Sequence, residues 1–494
     1  MKEDGSGNDM KRILAFLLVL VTLFTLVACT KEPEEEYVPE VKANAKEGDV
    51  FAERAAIDDE LGSYNFNGRK FRIVGTKAHD SYVEKGNTGN LITDAKFNRN
   101  KTVETRFNTE IEMAYTGTYS EVVEWVSKTV LSGSDEFDLF ASHTASVASL
   151  VLKNLFINWY DVPNVDFSKP WWSSSCADEL TYDGKCILAV SDFNYSAIAT
   201  AYCVIYNKEL AAAYDLGNLY QVVLNGDWTI DYFYDLVKDI YIDSDGSGDR
   251  TDGDFYGFAQ SAKHQCADSA WLWAFDNPII KKNADGVPEL AVKTEKVNNI
   301  VSTLYDLFFN TTGVHYKVGN EDPQGLTMLL NKQAIFATST IDAPTYENLR
   351  NFDADYGILP YPKWDENQVS YKTMASGDHT VLAVPKTVKD TEFVGTVIEA
   401  LSAESYKQVT PTLYEIALKT RYLRDNESKE VLDILIDGRI YDFGYIYDGW
   451  QGFGFMIGAM MNDGNSNFES YYNKRYGNAK IHFKRIVKVF DKLG

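Results

Sequence analysis

An acidic segment of twelve residues, 243–254, carries side-chain oxygens at the spacing of a calcium-binding loop. The oxygen donors at its ligand positions are Asp243, Asp245, Ser247, Asp249, Thr251 and Asp254. Gly248 stands where such a loop turns sharply. Ser247 replaces a usual carboxylate, and Asp254 is shorter than the Glu that commonly closes the loop. The segment therefore predicts either a structural calcium site or an acidic turn without metal.

Three further residues follow runs that are typical of strand ends. Tyr82 comes after the apolar run 71–75, His143 comes after 137–140, and Asp378 follows a glycine. In open α/β sheets, ligands bind at the loops beyond the carboxyl ends of the strands. We therefore predict ligand contacts at these three residues, and the alternative for each is an ordinary solvated loop residue.

The sequence contains none of the short motifs that mark common hydrolases and nucleotide-binding enzymes. It has no Gly-x-Ser-x-Gly, no His-Glu-x-x-His and no glycine-rich phosphate loop, and its 6 histidines are scattered. We therefore expect a protein that is not an enzyme and that requires no cofactor apart from the calcium considered above.

Alternating strand and helix patterns predict the scaffold that positions these residues. The run 71–75 predicts a strand, residues 119–131 predict a helix with valines on one stripe, and 137–140 predict the next strand. The later segments with similar patterns are a strand at 203–206 and helices at 229–242, 295–310 and 479–493. This order predicts an α/β fold with largely parallel sheets covered by helices.

Size and charge restrict the classes of protein to consider. The chain has 494 residues, of which 45% are hydrophobic and 14% aromatic, so it has the material for two or three folding units. Its 72 Asp and Glu outnumber its 48 Lys and Arg, which gives a formal net charge of −24. A field of that sign repels polyphosphates, so we expect no nucleic-acid partner.

The N-terminus has the pattern of an exported lipoprotein. Lys11 and Arg12 precede an uncharged, mostly apolar run, residues 13–28, which is typical of a signal peptide. The run ends in Leu-Val-Ala before Cys29, which predicts a signal peptide over 1–28 and lipidation of Cys29; an ordinary signal peptide with a chance Cys is the alternative. Residues 29–61 are acidic and predict a tether that holds the protein at the outer face of the cell membrane. Whether Met1 or Met10 starts the chain stays open.

Four further cysteines leave their oxidation state open. They are Cys176, Cys186, Cys203 and Cys266. Cys176 and Cys186 flank Asp183-Gly184, which predicts a turn. A disulfide between them is one interpretation, and buried free thiols are the other.

A series of short segments, taken in order, resembles a known family. The segments that carry this resemblance are residues 137–140, 170–172, 183–185, 204–210, 227–229, 256–258, 356–362, 376–378 and 381–385. In this order they resemble family 1 extracellular solute-binding proteins, the lipoprotein receptors of carbohydrate ABC importers, in their Gram-positive form. The resemblance implies a two-lobed, periplasmic-binding-protein-like α/β fold of type II with a ligand cleft. It also implies a monomer that delivers its ligand to ABC permease subunits.

The resemblance also implies the lobe boundaries and further site residues. Lobe 1 would comprise 62–190 and 350–405, and lobe 2 would comprise 191–349 and 406–494. Asp192 and Asn194 would lie at the first crossing between the lobes.

Sugar sites combine aromatic rings with polar planar groups, which draws attention to three tryptophans. Trp450 is the favoured ring because the residues before it, Tyr447 to Gly449, are typical of an exposed segment. Of Trp271 and Trp273, which are two residues apart, we expect that one at most meets a ligand. The adjacent Trp171 and Trp172 favour packing.

Together these observations predict a lipid-anchored receptor for a carbohydrate, most simply an oligosaccharide. The alternatives are an extracellular glycan-binding sensor and a glycan-degrading enzyme, since two carboxylates across a cleft suffice for glycoside hydrolysis.

Overall fold

The computed structural model describes residues 50–77, 82–84, 86, 88–261, 266–319, 325–343, 352–419, 426–448 and 452–493. Residues 46–494 form one compact unit. The predicted signal peptide, Cys29 and the rest of the predicted tether up to residue 49 lie outside the described residues. No helix within the described ranges is both long and apolar enough to cross a membrane.

The strands and helices alternate along most of the chain, as the sequence predicts. The strands are β1 (Arg69–Thr76), β2 (Thr109–Gly117), β3 (Leu139–His143), β4 (Tyr202–Asn207), β5 (Tyr241–Ile242), β6 (Phe255–Ser261), β7 (Ile280–Lys282), β8 (Pro288–Leu290), β9 (Val314–Lys317), β10 (Ala334–Thr340), β11 (Tyr356–Leu359), β12 (Thr373–Met374), β13 (Thr380–Ala383) and β14 (Arg439–Ile440). The α-helices are α1 (Val50–Ala55), α2 (Leu91–Phe107), α3 (Tyr119–Leu131), α4 (Thr144–Leu152), α5 (Ser174–Leu180), α6 (Ser196–Ala199), α7 (Lys208–Ala213), α8 (Leu219–Asn225), α9 (Ile230–Val237), α10 (Cys266–Ala274), α11 (Glu295–Tyr305), α12 (Gly325–Leu330), α13 (Thr391–Glu404), α14 (Thr410–Lys419), α15 (Asn426–Asp437), α16 (Met456–Asn462) and α17 (Phe468–Phe490). Wider, π-helical turns occur at Asp306–Asn310, Ser405–Val409 and Gly444–Asp448.

The first sheet has the strand order β13-β3-β1-β2. β1 runs parallel to both β2 and β3, while β13 runs antiparallel to β3 and places Thr380 opposite His143. At the entry to β3, Arg72 on β1 holds Asp138, whose Oδ1 lies 2.8 Å from the Arg72 Nη2 atom. This pair fixes where β3 starts beside β1.

The second sheet has the order β11-β4-β10-β6-β5, and β9 pairs with the later residues of β6, beyond the two that pair with β5. β10 and β9 run parallel to β6, whereas β4 runs antiparallel to both β10 and β11. The chain crosses from the first sheet to the second between Ala189, which bridges to Leu382 of β13, and the start of β4 at Tyr202.

Two segments lie elsewhere than the predicted lobe boundaries put them. Residues 350–405 were assigned to lobe 1, but β11 belongs to the second sheet, so the chain returns to the first sheet only at β13. Residues 406–494 were assigned to lobe 2, but α14 packs against α2, beside the first sheet. The apolar run of β11 can be buried in either sheet, so its local sequence carries no information about its partner strand.

Helix predictions hold where amphipathicity and capping agree. α3 spans the predicted residues 119–131, with Val122, Val126 and Val130 buried, and Thr118 and Glu121 form a reciprocal cap at its start. The helix predicted at 229–242 ends at Val237, and the helix predicted at 479–493 begins earlier, at Phe468. All four cysteines in the described residues are free thiols, so the Cys176–Cys186 pairing is not formed.

A buried glutamate ties the adjacent tryptophans to helix α13. The indole nitrogens of Trp171 and Trp172 donate to the two carboxylate oxygens of Glu399, at 2.8 and 2.7 Å. Both rings are buried against the first sheet, as the sequence favours. Burial raises the pKa of Glu399 from 4.5 to about 7, despite the two indole donors.

We predict that Glu399 makes the fold less stable as pH rises. Its pKa is higher in the folded than in the unfolded state, so the folded protein binds more protons between pH of about 4.5 and 7. The free energy of unfolding therefore falls across that range, by at most about 3.5 kcal/mol at about 1.4 kcal/mol per pKa unit. Urea denaturation at pH 5, 6, 7 and 8 measures this slope, and Glu399→Gln should reduce it.

The exposed Glu430→Gln is the matched control and should leave the slope unchanged. Part of the slope should persist in E399Q, because burial also raises the pKa of Asp268 to about 7. Equal slopes in the wild type and E399Q would contradict the prediction.

Candidate functional site

Two predicted residues meet where β3 ends and β13 begins. His143 closes β3, and the loop 376–379 that precedes β13 lies beside it, because Thr380 is paired with His143. His143 Nδ1 lies 3.5 Å from Asp378 Oδ1, and the Thr144 hydroxyl donates to the Gly377 carbonyl at 2.8 Å. The His143 side chain is 9% exposed and that of Asp378 is 56% exposed, so the carboxylate faces solvent from a buried support.

A tyrosine that the sequence analysis did not nominate completes this edge of the site. Tyr119 is the first residue of α3, directly after β2 and the Thr118 cap. Its ring lies nearly parallel to the His143 imidazole, with centroids 6.4 Å apart, and it is 53% exposed. An exposed ring beside an exposed carboxylate suits a ligand with both an apolar face and hydroxyl groups.

The start of β4 in the second sheet and the turn 444–448 reach the same loop from the other side. The backbone amide of Ser376 donates to the Thr200 carbonyl at 3.0 Å, and the Tyr202 hydroxyl lies 3.5 Å from Ser376 Oγ. The hydroxyl of Tyr445, in the π-helical turn 444–448, touches Gly377 so closely that a Cβ there would overlap it. The loop 376–379 is therefore held between the two sheets.

Four ionisable side chains that pack around this loop stay neutral near pH 7. Burial raises the pKa of the Cys266 thiol to about 12, and the nearby Asp378 carboxylate adds to that rise. Burial also raises the phenol pKa values of Tyr202 and Tyr445 well above 10, and lowers the pKa of His379 to about 4. These four side chains therefore act as hydrogen-bonding partners, and neither a thiolate nor an imidazolium forms among them.

Tyr82 and Asn194 form a packing contact and present no open surface. The Tyr82 hydroxyl donates to the Ala141 carbonyl at 3.1 Å, and its ring stacks on Phe193 at 4.9 Å. Asn194 donates to the Tyr82 hydroxyl and to Thr380 Oγ1, at 3.1 and 3.0 Å. Both residues thus attach the first crossing to the first sheet instead of lining a cleft.

Asp192 also lies at the first crossing, in a small polar cavity. Its carboxylate accepts a hydrogen bond of 2.8 Å from Thr410 and lies 3.9 Å from Arg54 Nη1. Burial raises the pKa of Asp192. The adjoining cavity measures about 40 Å³, which is room for a water molecule but not for a sugar.

Neither Trp271 nor Trp273 is exposed, because α10 is buried on all sides. Trp271 packs on Tyr361, with ring centroids 4.7 Å apart, inside the core. Trp273 donates to Asp442 at 3.0 Å and meets the Tyr445 ring edge-on at 5.3 Å. Trp273 therefore supports Tyr445 from behind, and the expectation that one of the two rings meets a ligand finds no open surface. Trp450 lies outside the described residues.

The acidic segment 243–254 brings three of its predicted ligand groups together. Each of Asp243, Asp245 and Asp254 offers an oxygen, and these oxygens lie within 4.8 Å of one another. Hydrogen bonds from Thr251 and Ser247 lower the pKa of Asp245 to about 2, so this carboxylate is ionised at neutral pH. Ser247 Oγ donates to the backbone carbonyl of Asp249 at 3.1 Å. A cluster of three carboxylates fits the preference of calcium for oxygen ligands.

The buried Asp254 organises this loop internally. Its carboxylate accepts hydrogen bonds from the amides of Ser244 and Thr251, at 3.0 and 2.8 Å, and from the Tyr241 hydroxyl at 3.2 Å. The strand β6 follows directly, where an EF-hand would have its second helix.

The fold is similar to those of known solute-binding proteins, although no protein-family model and no curated protein matches the sequence. An ABC transporter solute-binding protein of Thermotoga lettingae, solved with alpha-D-tagatose, has a TM-score of 0.54 at 13% identity, over 84% of this chain and 100% of that one. The GacH receptor of Streptomyces glaucescens has a TM-score of 0.53 at 12% identity, over 85% and 98%. UgpB of Mycobacterium tuberculosis has a TM-score of 0.53 at 14% identity, over 86% and 98%. These likenesses confirm the predicted two-lobed, periplasmic-binding-protein-like α/β fold.

We predict that Gly377→Ala destabilises the protein by about 1–3 kcal/mol, because the added methyl group overlaps the Tyr445 hydroxyl. Chemical denaturation measures the loss. Tyr445→Phe removes that hydroxyl, which has no hydrogen-bond partner among the described residues, so Y445F alone should change stability little.

The double variant G377A/Y445F should recover most of the loss, because the space that the hydroxyl vacates accommodates the methyl group. Additive losses in the double variant would show that the two groups are not in contact.

Proposed function

We propose that this protein is an extracytoplasmic solute-binding receptor that captures a carbohydrate, most simply an oligosaccharide, and delivers it to an ABC permease. The observation that carries the proposal is the group formed by Tyr119, His143 and Asp378 at the carboxyl edge of the first sheet. Tyr202 of the second sheet and Tyr445 of the turn 444–448 lie opposite this group. The similar folds of solute-binding proteins support the same reading.

The chemistry of the site suits a neutral, hydroxyl-rich solute. The exposed Tyr119 ring offers a face for the C–H surface of a sugar, and the Asp378 carboxylate accepts hydrogen bonds from hydroxyl groups. A net charge of −24 disfavours anionic solutes. Solved proteins of similar fold are described with tagatose, acarbose and maltotetraose, and one with glycerophosphocholine.

Capture by such a receptor requires contacts to both lobes. A ligand shifts an open–closed equilibrium only by its differential affinity for the two states, so residues from both sheets must touch it. A ligand at the loop 376–379 would be within reach of both sheets, because Thr200 and Tyr202 approach the loop from the second sheet while His143 approaches it from the first.

The cellular context in this proposal rests on the sequence. A signal peptide over 1–28, lipidation at Cys29 and the acidic tether over 29–61 would hold a monomeric receptor at the outer face of a Gram-positive cell membrane, near its permease. A glycan-binding sensor remains the alternative that shares this location, and a glycan-degrading enzyme is the other.

We expect that a thermal-shift screen of residues 46–494 against mono- and oligosaccharides finds a sugar that raises the melting temperature. For that sugar, Tyr119→Ala and Asp378→Asn should each weaken binding about tenfold or more by calorimetry, because each removes a contact at the site. Tyr234→Ala, at another exposed tyrosine, is the matched control and should bind normally.

Chromatography of the incubated sugar separates receptor from enzyme, since a receptor returns it unchanged. Normal binding by both Y119A and D378N would place the sugar elsewhere and overturn this assignment. If no sugar stabilises the protein, carbohydrate is the part of the proposal to abandon.

We also propose that the segment 243–254 binds a structural calcium ion through Asp243, Asp245 and Asp254, with Ser247 and Asp249 as further oxygen donors. Calcium should raise the melting temperature by a few degrees over a chelator control, because it binds only the folded loop. Asp245→Asn should abolish most of that shift. The exposed Asp239→Asn, just before the loop, should keep it. An equal melting temperature with calcium and with chelator would show an acidic turn without metal.

A further inference from the structure

An open groove lies between the C-terminal helix α17 and the hairpin β7–β8. It has a volume of about 670 Å³. We call it the helix–hairpin groove; its lining residues are Ile279, Ile280, Val287, Pro288, Glu289, Leu290, Gly444, Tyr472, Tyr476, Ala479, Lys480, Phe483, Lys484, Val487, Lys488 and Asp491. Its size is within the range of about 300–1,000 Å³ that is usual for small-molecule sites.

The floor of the groove is apolar and closely packed. Ile280 of the hairpin and Phe483 of α17 both line the groove. Gly444 lets the backbone of its turn lie close to Ile280, since a Cβ there would come within 2.7 Å of Ile280 Cγ1. Val287, at the open edge of the hairpin, is 36% exposed. A concave, mostly apolar surface that opens to solvent is the usual architecture of a site for an apolar group.

One wall of the groove carries a row of cations. Lys480, Lys484 and Lys488 recur every four residues on α17, so they lie along one face of the helix, and all three are exposed. None of the three forms an ion pair with any residue that the structure describes.

The basic character of α17 stands out in an acidic protein. The helix contains six Lys or Arg and one Glu in a chain of net charge −24. Two carboxylates also line the groove. Glu289 accepts a hydrogen bond of 2.8 Å from Asn283, and Asp491 lies at the end beyond Lys488. The uncompensated positive charge is therefore centred on Lys480 and Lys484.

We propose that the helix–hairpin groove binds a small amphipathic anion, with its apolar body on the floor and its carboxylate, sulfate or phosphate head at Lys480 and Lys484. Charge complementarity requires the anion, and the floor requires the apolar body. This site is separate from the sugar site, and the inference does not depend on the proposed function.

The dimensions of the groove favour a small molecule over larger partners. A volume of about 670 Å³ is within the range that is usual for sites that enclose a drug-sized ligand. A bilayer surface is broad and flat and does not enter a concavity of this size. We therefore infer that the ligand of the groove is a single-chain amphiphile that is free in solution.

Calorimetry with decanoate below its micelle concentration tests the proposal on residues 46–494. Decanoate should bind at one site, and decanol, which has the same chain and no charge, should bind at least tenfold more weakly. The double variant K480Q/K484Q should weaken decanoate binding about tenfold. The control K474Q/R485Q removes two positive charges from α17 outside the groove and should not change it.

A second variant tests the apolar rim of the groove without disturbing the core. Val287→Glu places a carboxylate at the exposed edge of the hairpin, where folding tolerates it, and should block decanoate while leaving the circular dichroism spectrum and any sugar-induced melting shift unchanged. Raising the NaCl concentration from 50 to 500 mM should also weaken binding.

Several results would overturn the proposal. These are no heat with decanoate, equal affinity for decanol, or equal losses in K480Q/K484Q and K474Q/R485Q. Sedimentation of the free protein as a dimer that V287E dissociates would assign the groove to a second copy. Binding of an acidic peptide in place of decanoate would assign it to a protein partner.

Discussion

The antiparallel pairing of β13 with β3 is the interaction on which the candidate site depends. The chain leaves the first sheet after β3, builds the second, and returns with β13 to lie beside the strand it left. Leu382 on β13 exchanges backbone hydrogen bonds with Ala189 at the first crossing and accepts one from the Trp159 indole. Because buried backbone groups must find partners, this register is strongly fixed. It sets Gly377 and Asp378 beside His143 and under Tyr445.

A buried arginine holds the segments that cross between the lobes. Arg99 on α2 is fully buried and donates to the carbonyls of Phe193 and Tyr82 and to the Ser405 hydroxyl, at 2.9, 3.3 and 3.1 Å. Burial lowers its pKa to about 10, so it stays charged at neutral pH and must keep these partners. The first crossing, the loop after β1 and the end of α13 are thereby attached to one helix, which makes the first lobe a rigid support for its half of the site.

Local patterns predicted those parts of the structure in which one face is buried. α3 spans its predicted residues because its valine stripe and its cap agree. β11 was placed in the wrong lobe, because strand partners are chosen by contacts far apart in sequence. Of the predicted site residues, His143 and Asp378 lie together, because the ends of their strands can be predicted from the sequence. Tyr82, Trp271 and Trp273 are buried instead. Tyr119 was missed because a single exposed ring leaves no periodic signal; its position directly after a strand and a capping residue was the available clue.

In the π-helical turn Gly444–Asp448, two neighbouring residues belong to two different surfaces. Gly444 closes the floor of the helix–hairpin groove, and Tyr445, next in the chain, touches the loop 376–379. Successive residues of a helical turn point in different directions, so one deletion in this turn would rotate Tyr445 away from Gly377 and put a side chain where Gly444 must be bare. We therefore expect homologous chains to vary more readily in the side chains of this turn than in its length. An insertion or deletion in the turn would change both surfaces at once.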